Sequence, residues 1–361
     1  MTDESTKPTP VGKIFNLIND SLLKPIAALY HSDNLKNMGL ARAIGLIALT
    51  VLVLMFLTGL WWNRSPNLFD VQAAAQKRAD RYNEKLVPGY ITTNTLIEVA
   101  NTLLNKSGGY STNDIMPPSV FIDDMPSWEW GVLQQVRDFS KALRNDISRS
   151  STQSEDPDLA KAEPKFNTDN DSWFWPTSED EYQEGIALIE KYLHRLAAPK
   201  NNTAQFIVGS NNLRDWLEDV IKRLSSLSQR LSASVGQKRM NMNVAPEAED
   251  EHAGRPIEVE EKTPWMEVDN VFYEARGTCW ALIHFLRAVE IDFKDLLKQK
   301  NTAMILQQVI IQLETTQKAV WSPLILNGSE FGLFANHSLV LSSYISRANT
   351  GIIELYNLLN H

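Results

Sequence analysis

The sequence has little cysteine, glycine or proline: one Cys, 16 Gly and 16 Pro in 361 residues. A single thiol forms no internal disulfide, and so little glycine excludes a collagen-like chain. With 43% hydrophobic residues, the chain is also too apolar to be wholly disordered. It has no dense Lys/Arg stripe, and 35 basic against 44 acidic residues give a net charge of −9. Because that charge repels a phosphate backbone, we expect no nucleic-acid partner.

One long apolar run is present. Residues 43–62 contain no charged residue and lie between Arg42 and Arg64. A helix of about twenty residues crosses the hydrocarbon of a bilayer, and the rings of Trp61 and Trp62 suit the headgroup layer. A cleaved signal peptide has a short basic head and small residues before the cut, whereas 42 residues precede this run. The sequence therefore predicts a retained transmembrane helix over 43–62 that contacts the lipid bilayer.

The orientation of this helix depends on weaker features. Three basic residues lie within twenty positions before it and four lie within twenty positions after it, so the positive-inside rule is nearly indifferent. Residues 1–42 carry five basic and four acidic residues, which leaves 30 and 40 for the remainder. That acidic excess and the single thiol favour a short inner tail and a large external body. We therefore expect a single-pass protein of the bacterial inner membrane with a periplasmic body.

Helical periodicity dominates the rest of the chain, and no alternating run is long enough for a sheet. Within the 1–42 tail, the spacing of apolar residues from Val11 to Leu23 predicts an amphipathic helix. This helix either lies in the headgroup layer, binds a partner, or is an ordinary helix of the tail. After the apolar run, three sets of mainly apolar residues recur at steps of three and four positions. Each set forms a stripe along one face of a helix, which we call a seam. We expect an all-α fold in which these helices pack in a near-antiparallel bundle with coiled-coil-like seams. The seams are Leu213, Leu217, Val220, Leu224, Leu227 and Leu231; Val268, Phe272, Ala275, Cys279, Leu282, Leu286, Val289, Phe293 and Leu296; and Leu341, Ile345, Ala348, Ile352, Leu355 and Leu359.

Two acidic segments interrupt the helical pattern. Residues 150–171 predict a loop. Residues 236–263 have too few apolar side chains to bury enough surface to offset the entropy lost on ordering the chain. Their composition predicts a disordered, flexible acidic linker. This linker separates a front helical part, 63–235, from a back helical part, 264–361, and the sequence leaves open whether these are two domains or one bundle. In the front part, Ser178 followed three residues later by an acid predicts a capping box.

The predicted helix 264–298 carries a second, aromatic and polar face beside its seam, on which Arg276 is placed to stack on Trp280. This face predicts either a packed polar layer between helices or a groove that binds a ligand or peptide. Farther on, Asn336 or Ser338 is placed to cap the last helix, where exposed amides also favour an anion. The candidate ligand or partner surface consists of Asp269, Tyr273, Arg276, Trp280, His284, Arg287, Asn336 and His337.

Catalytic motifs are scarce. Cys279 lies in a seam and about 140° around the helix from His284, so we interpret it as a small core hydrophobe. Glu274 lies about 80° around the helix from His284, which suits a shared site better. Metal binding would need a further ligand from another helix, such as His337, and the sequence has no HExxH or paired ExxH motif typical of a metal site. Phosphate loops, CxxC pairs and nucleophile elbows do not occur. We therefore assign no catalytic residue, metal or cofactor. The alternative hypothesis is an envelope hydrolase or metal-dependent enzyme using His284, His337 and Glu274.

Tryptophans cluster at two places, Trp128 with Trp130 and Trp173-Phe174-Trp175. Such side chains stack on sugars, dip into a bilayer or anchor a core where loops cross. In helical proteins the last role is the commonest, so we expect these aromatic residues to anchor the core.

Five short segments distinguish the chain: SWFWP at 172–176, VDNVFYEARG at 268–277, WALIH at 280–284, LNG at 326–328 and ANHSL at 335–339. Together they resemble a family of uncharacterised proteobacterial membrane proteins. The resemblance implies an inner-membrane protein with a single span, and it supplies no activity because the family is itself a domain of unknown function. We therefore expect an anchored helical scaffold of the cell envelope that binds a protein partner, or itself, through the 264–361 surface.

Overall fold

The computed structural model describes residues 40–149, 155–198, 203–241, 257–320, 325–328 and 335–360. The chain divides into two compact units, Met1–Leu60 and Trp61–His361. The amphipathic helix predicted in the tail lies outside the described residues. The elements are α1 (Leu40–Trp62), α2 (Val71–Tyr82), α3 (Tyr90–Asn105), α4 (Asp124–Ala142), α5 (Leu159–Phe166), α6 (Ser178–Ala197), α7 (Ser210–Ser232), β1 (Gln237–Asn241), β2 (Ile257–Glu261), α8 (Val268–Asp292), α9 (Lys294–Gln299), α10 (Ala303–Thr315) and α11 (His337–Leu359).

In the part of the chain that the structure describes, the fold is all-α, as predicted, apart from one antiparallel pair of short strands. Helix α1 contains the apolar run, and no residue of its most apolar stretch is buried. Its two threonine hydroxyls donate to carbonyl oxygens four residues earlier, Thr50 to Leu46 and Thr58 to Leu54. This helix is therefore long and apolar enough to span a membrane, and by length and composition it is either an anchor or a signal sequence.

Helices α4 and α8 form the centre of the body and run parallel. The pairs Ser127–Asn270, Trp128–Trp280 and Phe139–Phe285 advance together along both helices. Two glycines lie where the helices cross. A Cβ built on Gly131 would lie 2.7 Å from the Thr278 nitrogen, and one built on Gly277 would lie 2.9 Å from the Trp128 carbonyl carbon. The two backbones approach this closely because neither glycine carries a side chain.

Helices α7 and α11 form the second main pair and run antiparallel. Ser225 bonds to Asn349 and Ser232 bonds to Ser342, so one helix rises as the other descends. Every predicted seam residue of these two helices is buried. The long seam predicted on one helix, 264–298, instead runs through α8 and into the separate helix α9, where Leu296 is only partly buried. The predicted three-helix arrangement needs one correction: α8 packs most extensively on α4, and only marginally on α7 and α11.

The predicted front and back parts share one hydrophobic core, because α4 of the front part packs on α8 of the back part. Residues 61–361 accordingly form one compact unit. The two ends of the linker predicted to be disordered form strands instead. Strands β1 and β2 pair antiparallel, with Gln237 opposite Glu261 and Asn241 opposite Ile257. Residues 242–256 of that linker lie outside the described residues.

Local capping explains two further differences from prediction. Within the segment predicted as a loop, α5 begins at Leu159, and the carboxylate of the nearby Asp156 accepts from the amides of Asp158 and Leu159. The capping box of α6 is present one residue earlier than predicted. Thr177 is its N-cap and accepts from the Asp180 amide, while the Asp180 carboxylate accepts from the Thr177 amide. Helix α6 therefore begins at Ser178.

Candidate functional site

The candidate surface on α8 is mostly packed against other elements. Trp280 and His284 are completely buried, which corrects the expectation that they belong to a surface. Arg287 forms an ion pair of 2.7 Å with Glu314 on α10. Asp269 and Tyr273 lie near Asp124, the first residue of α4, with which both interact electrostatically. The second face of α8 is therefore largely a polar layer between helices.

Trp280 and His284 hold the segment that follows α1. The Phe69 amide donates to His284 Nε2 over 3.0 Å, and the Phe69 ring stacks on the imidazole with centroids 4.0 Å apart. Two residues before Phe69, the Asn67 carbonyl oxygen accepts from the Trp280 indole N–H over 3.4 Å. The sequence interpretation of His284 as a structural histidine agrees with this geometry, although the sequence gives no sign of its partner.

The hydrogen bonds of His284 define its protonation. Because Nε2 accepts from an amide, the proton lies on Nδ1, which donates to the Trp280 carbonyl oxygen over 2.7 Å. Burial lowers the pKa of His284 to about 4, against an ordinary value near 6.5. The ring is therefore neutral at pH 7 with both nitrogens occupied, and neither nitrogen is free to bind a metal or to accept a proton from a substrate.

The structure gives the three residues of the enzyme hypothesis separate partners. Glu274 forms a bidentate ion pair with Arg230 on α7. His284 contacts the segment after α1, as described above. His337 begins α11, where its Nδ1 accepts from the Leu326 amide over 3.1 Å and its own amide donates to the Leu326 carbonyl. Among the residues that the structure describes, no group of three His, Cys, Asp or Glu side chains is placed to hold a metal ion.

Arg276 and His337 do come together, at a cavity of about 300 Å³ between α8, the end of α10 and α11. Arg276 is 8% exposed, and its guanidinium donates to the carbonyl oxygens of Gln317 and Lys318 just after α10. Its Nε–H has no partner, and burial lowers its pKa. The remaining lining is largely apolar and includes Phe272, Val320, Val340, Leu341 and Tyr344. The cavity suits a small apolar ligand with an anionic end.

Asn336 has the capping role that the sequence suggested. Its side-chain oxygen accepts from the Leu339 amide over 2.8 Å, and its amide nitrogen donates to the Gly328 carbonyl. Asn336 thereby ties the start of α11 to the Asn327-Gly328 turn, where Asn327 and Asn336 form an isolated bridge. The residue is structural in this arrangement, and it supports the position of His337 beside the cavity.

A buried ion pair is the polar cluster that sequence reasoning missed. Glu129 on α4 is completely buried and accepts from the Lys106 ammonium. It also accepts from the amides and hydroxyls of Ser111 and Thr112. Lys106 donates in addition to the Gly109 carbonyl. The cluster fixes residues 106–112 onto α4. Neither residue type nor spacing signals it, because Lys106, Ser111 and Thr112 follow the end of α3 and lie about twenty residues before Glu129 in the sequence.

The aromatic clusters divide between core and surface. Trp128 is completely buried, and Trp130 is partly buried with the Arg137 guanidinium 5.2 Å from its ring centroid. The prediction of core anchoring is wrong for Trp173, Phe174 and Trp175, which are all exposed. Cys279 is buried as predicted, and burial raises the pKa of its thiol to about 12.

One family of proteins matches this chain. The family, described as uncharacterized protein conserved in bacteria (DUF2333), matches residues 35–361. Comparisons with curated proteins and with solved structures find no match. The comparisons therefore assign a family and no activity.

Proposed function

This chain belongs to the DUF2333 family of uncharacterised bacterial proteins, and we propose that it is a membrane-anchored helical scaffold of the cell envelope. In this proposal α1 crosses the inner membrane once and stays uncleaved. The body, residues 61–361, lies in the periplasm and binds a protein partner, or a second copy, through its 264–361 part.

The observation that carries the proposal is the exposure of α1. Its most apolar stretch has no buried residue, and side chains such as Leu52 and Phe56 are more than half exposed. In water each large apolar side chain left exposed forgoes about 1.5–3 kcal/mol of burial. An apolar helix of this length therefore requires an apolar environment, and a lipid bilayer supplies one.

The contacts of the segment after α1 support a structural role. Trp62 packs against Gly108, and Asn63 donates to the Asp124 carboxylate over 2.9 Å. Phe69 then bonds to His284. The body thus holds the residues next to the apolar helix through separate contacts along its length. This suits a scaffold, because residues 62–69 are part of the packed body rather than a free linker.

Membrane fractionation tests the anchor. We expect the full chain to resist alkaline carbonate extraction with its first residues intact by mass spectrometry. The variant Leu52→Arg with Leu54→Arg should be released, since each arginine at mid-helix costs roughly 3 kcal/mol of insertion. The matched variant Leu52→Ala with Leu54→Ala should remain. A freely dissolved wild-type chain, or an N-terminus cleaved after α1, contradicts the proposal.

Reporter fusions and crosslinking test the other parts. An alkaline phosphatase fused after His361 should be active, because that enzyme works only outside the cytoplasm. A fluorescent protein that folds only inside should be dark at the same position. A photo-crosslinking residue at the exposed Ile353 of α11 should give a discrete adduct in intact cells, whereas one at the exposed Lys77 of α2 should not. If no adduct forms at either position, the scaffold role is contradicted.

The cavity beside Arg276 supports a second candidate function, the binding of a small amphiphile with an anionic group. A buried guanidinium with an unpartnered Nε–H in an apolar wall is an incomplete site that an anion completes. Octanoate added to the purified full chain should raise its melting temperature, and Arg276→Met should abolish that increase while Arg287→Met preserves it. An increase that Arg276→Met retains contradicts this function.

A further inference from the structure

Among the described residues, nine of the 17 large exposed hydrophobic residues outside α1 lie in three segments between the α-helices. One is the loop before α4, another is the loop before α6, and the third is the turn before α8. Their exposed fractions reach 77% at Phe121, 79% at Trp175 and 80% at Trp265. We call the nine exposed residues of these three segments the apolar rim: Ile115, Met116, Val120, Phe121, Trp173, Phe174, Trp175, Trp265 and Met266. Scattered exposed hydrophobic residues are ordinary, but aromatic clusters of this kind mark an interaction surface.

The first loop of the apolar rim is fixed where the chain leaves α1. Gly108, in the segment leading to this loop, lies against the Trp62 ring, and a Cβ there would be 2.7 Å from Trp62 Cγ. The far end of the loop leads into α4, whose first residue, Asp124, accepts from Asn63. Both ends of the loop that carries Ile115 to Phe121 are therefore tied to residues 62 and 63.

The other two segments are tied to the first. Asn113 donates to the Ser172 carbonyl over 2.8 Å, which places Trp173 next to a residue of the first loop. The Tyr110 hydroxyl donates to the Asn170 carbonyl over 2.9 Å. At the third segment, Ser127 on the first turn of α4 bonds to Asn270 on the first turn of α8. Because α4 and α8 run parallel, Trp265 lies at the same end of the body as Phe121.

The chemistry of the apolar rim matches the boundary of a bilayer. Tryptophan, phenylalanine, methionine and isoleucine bury apolar area, and indole favours the headgroup level. The neighbouring exposed acids Asp114, Asp123 and Glu267 exclude attraction to anionic headgroups as the driving force. The rim segments are also held by hydrogen bonds to the body, so their insertion orders little additional chain.

We propose that the apolar rim inserts into the same lipid bilayer that α1 spans, so that the body rests on the membrane surface. This inference rests on the proposed function, because it requires α1 to be in the membrane. A protein partner seated on the rim is the rival occupant. The contacts that tie the rim to Trp62 and Asn63 favour lipid, since Trp62 is the last residue of the apolar helix and Asn63 directly follows it.

Site-directed fluorescence in reconstituted vesicles tests the inference with the full chain. Phe174→Cys carries an environment-sensitive dye in phosphatidylcholine vesicles that contain spin-labelled lipid. The native Cys279 is completely buried, so the introduced thiol reacts selectively in the folded protein. Met304→Cys is the matched control, because Met304 is equally exposed and follows the opposite end of α8. Phe121→Cys extends the test to the first loop.

We expect the dye at positions 174 and 121 to be blue-shifted and quenched by headgroup-level spin labels, and the dye at position 304 to be neither. The triple variant Trp173→Ser, Trp175→Ser, Trp265→Ser should reduce quenching at position 174 severalfold. Quenching at position 174 no stronger than at position 304, in protein that still floats with the vesicles, overturns the inference and leaves the anchor intact. Protein that does not float overturns the proposed function, and the inference with it.

Discussion

Replacing Gly277 by alanine tests the close crossing of α4 and α8 directly. In an exposed helix this change stabilises by about 1 kcal/mol, because glycine loses more backbone entropy than alanine. At the crossing, the added Cβ would lie 2.9 Å from the Trp128 carbonyl carbon and 3.1 Å from its Cα. These are backbone atoms of a buried helix, and they cannot rotate away as a side chain can. Overpacking costs about 1–3 kcal/mol, and contacts this short with backbone atoms belong at the upper end of that range. Subtracting the gain of about 1 kcal/mol from a cost of about 3 kcal/mol leaves an expected net destabilisation of about 2 kcal/mol.

Thermal unfolding of the detergent-solubilised full chain, followed by circular dichroism, measures this effect. A loss of about 2 kcal/mol should lower the melting temperature by roughly 4–8 °C. Gly45→Ala is the matched control, because nothing lies within 4 Å of a Cβ built there. Gly131→Ala should destabilise similarly, and the double variant with Gly277→Ala should lose less than the sum, since one Cβ already separates the helices. A Gly277→Ala chain as stable as the wild type refutes the described crossing.

Three further perturbations have expected outcomes. The folded-state pKa of His284 is lowered to about 4, so its contribution to stability is complete above pH 6.5 and is lost as the pH falls towards 4, by about 3 kcal/mol. Urea titrations at pH 7 and pH 4 should show this loss in the wild type and not in His284→Gln. Lys106→Met, which leaves Glu129 buried and uncompensated, should cost about 3–5 kcal/mol in the same assay, whereas Lys165→Met at a more exposed ion pair should cost less than about 1 kcal/mol. Iodoacetamide should modify Cys279 only after unfolding, because the thiol is completely buried and its pKa is raised to about 12.

The pH dependence of His284 must be separated from that of other buried groups. Burial raises the pKa values of Asp124 and Asp146 to about 6, which stabilises the fold as the pH falls and opposes the effect of His284. The histidine contribution is therefore the difference between wild type and His284→Gln, and equal pH dependence in the two chains contradicts it. Equal losses for Lys106→Met and Lys165→Met contradict the buried ion pair. Rapid labelling of Cys279 in the folded chain contradicts its burial.

Much of the fold is readable from the sequence because helical periodicity and long apolar runs are local properties. The seam of α7 from Leu213 to Leu231 and the seam of α11 from Leu341 to Leu359 are buried at every predicted position. Helix α1 likewise follows from 23 consecutive residues in which charge is confined to the first turn. In each case the side chains that must leave water recur on one face, so a single helix contains the whole signal.

The partners of each helix are not readable in this way. Gly131 and Gly277 set the crossing of α4 and α8, and a missing side chain leaves no trace in a hydrophobic pattern. The seam of α8 predicts one buried face, but Trp280 and His284 outside that seam are buried too, because this helix is surrounded. The exposed Trp175 shows the reverse error, since a residue type that usually anchors a core lies here on a loop.

The amino-acid sequence alone determined an all-α chain with one apolar helix at its front, the seams of its helices and the burial of its single thiol. Tertiary structure decided that residues 61–361 form one body, that His284 holds the segment after α1, and that Arg276 meets His337 at a cavity. The physical reason is distance along the chain. Periodicity is written in neighbouring residues, whereas each of these contacts joins residues that are sixty or more positions apart and meet only after the helices have packed.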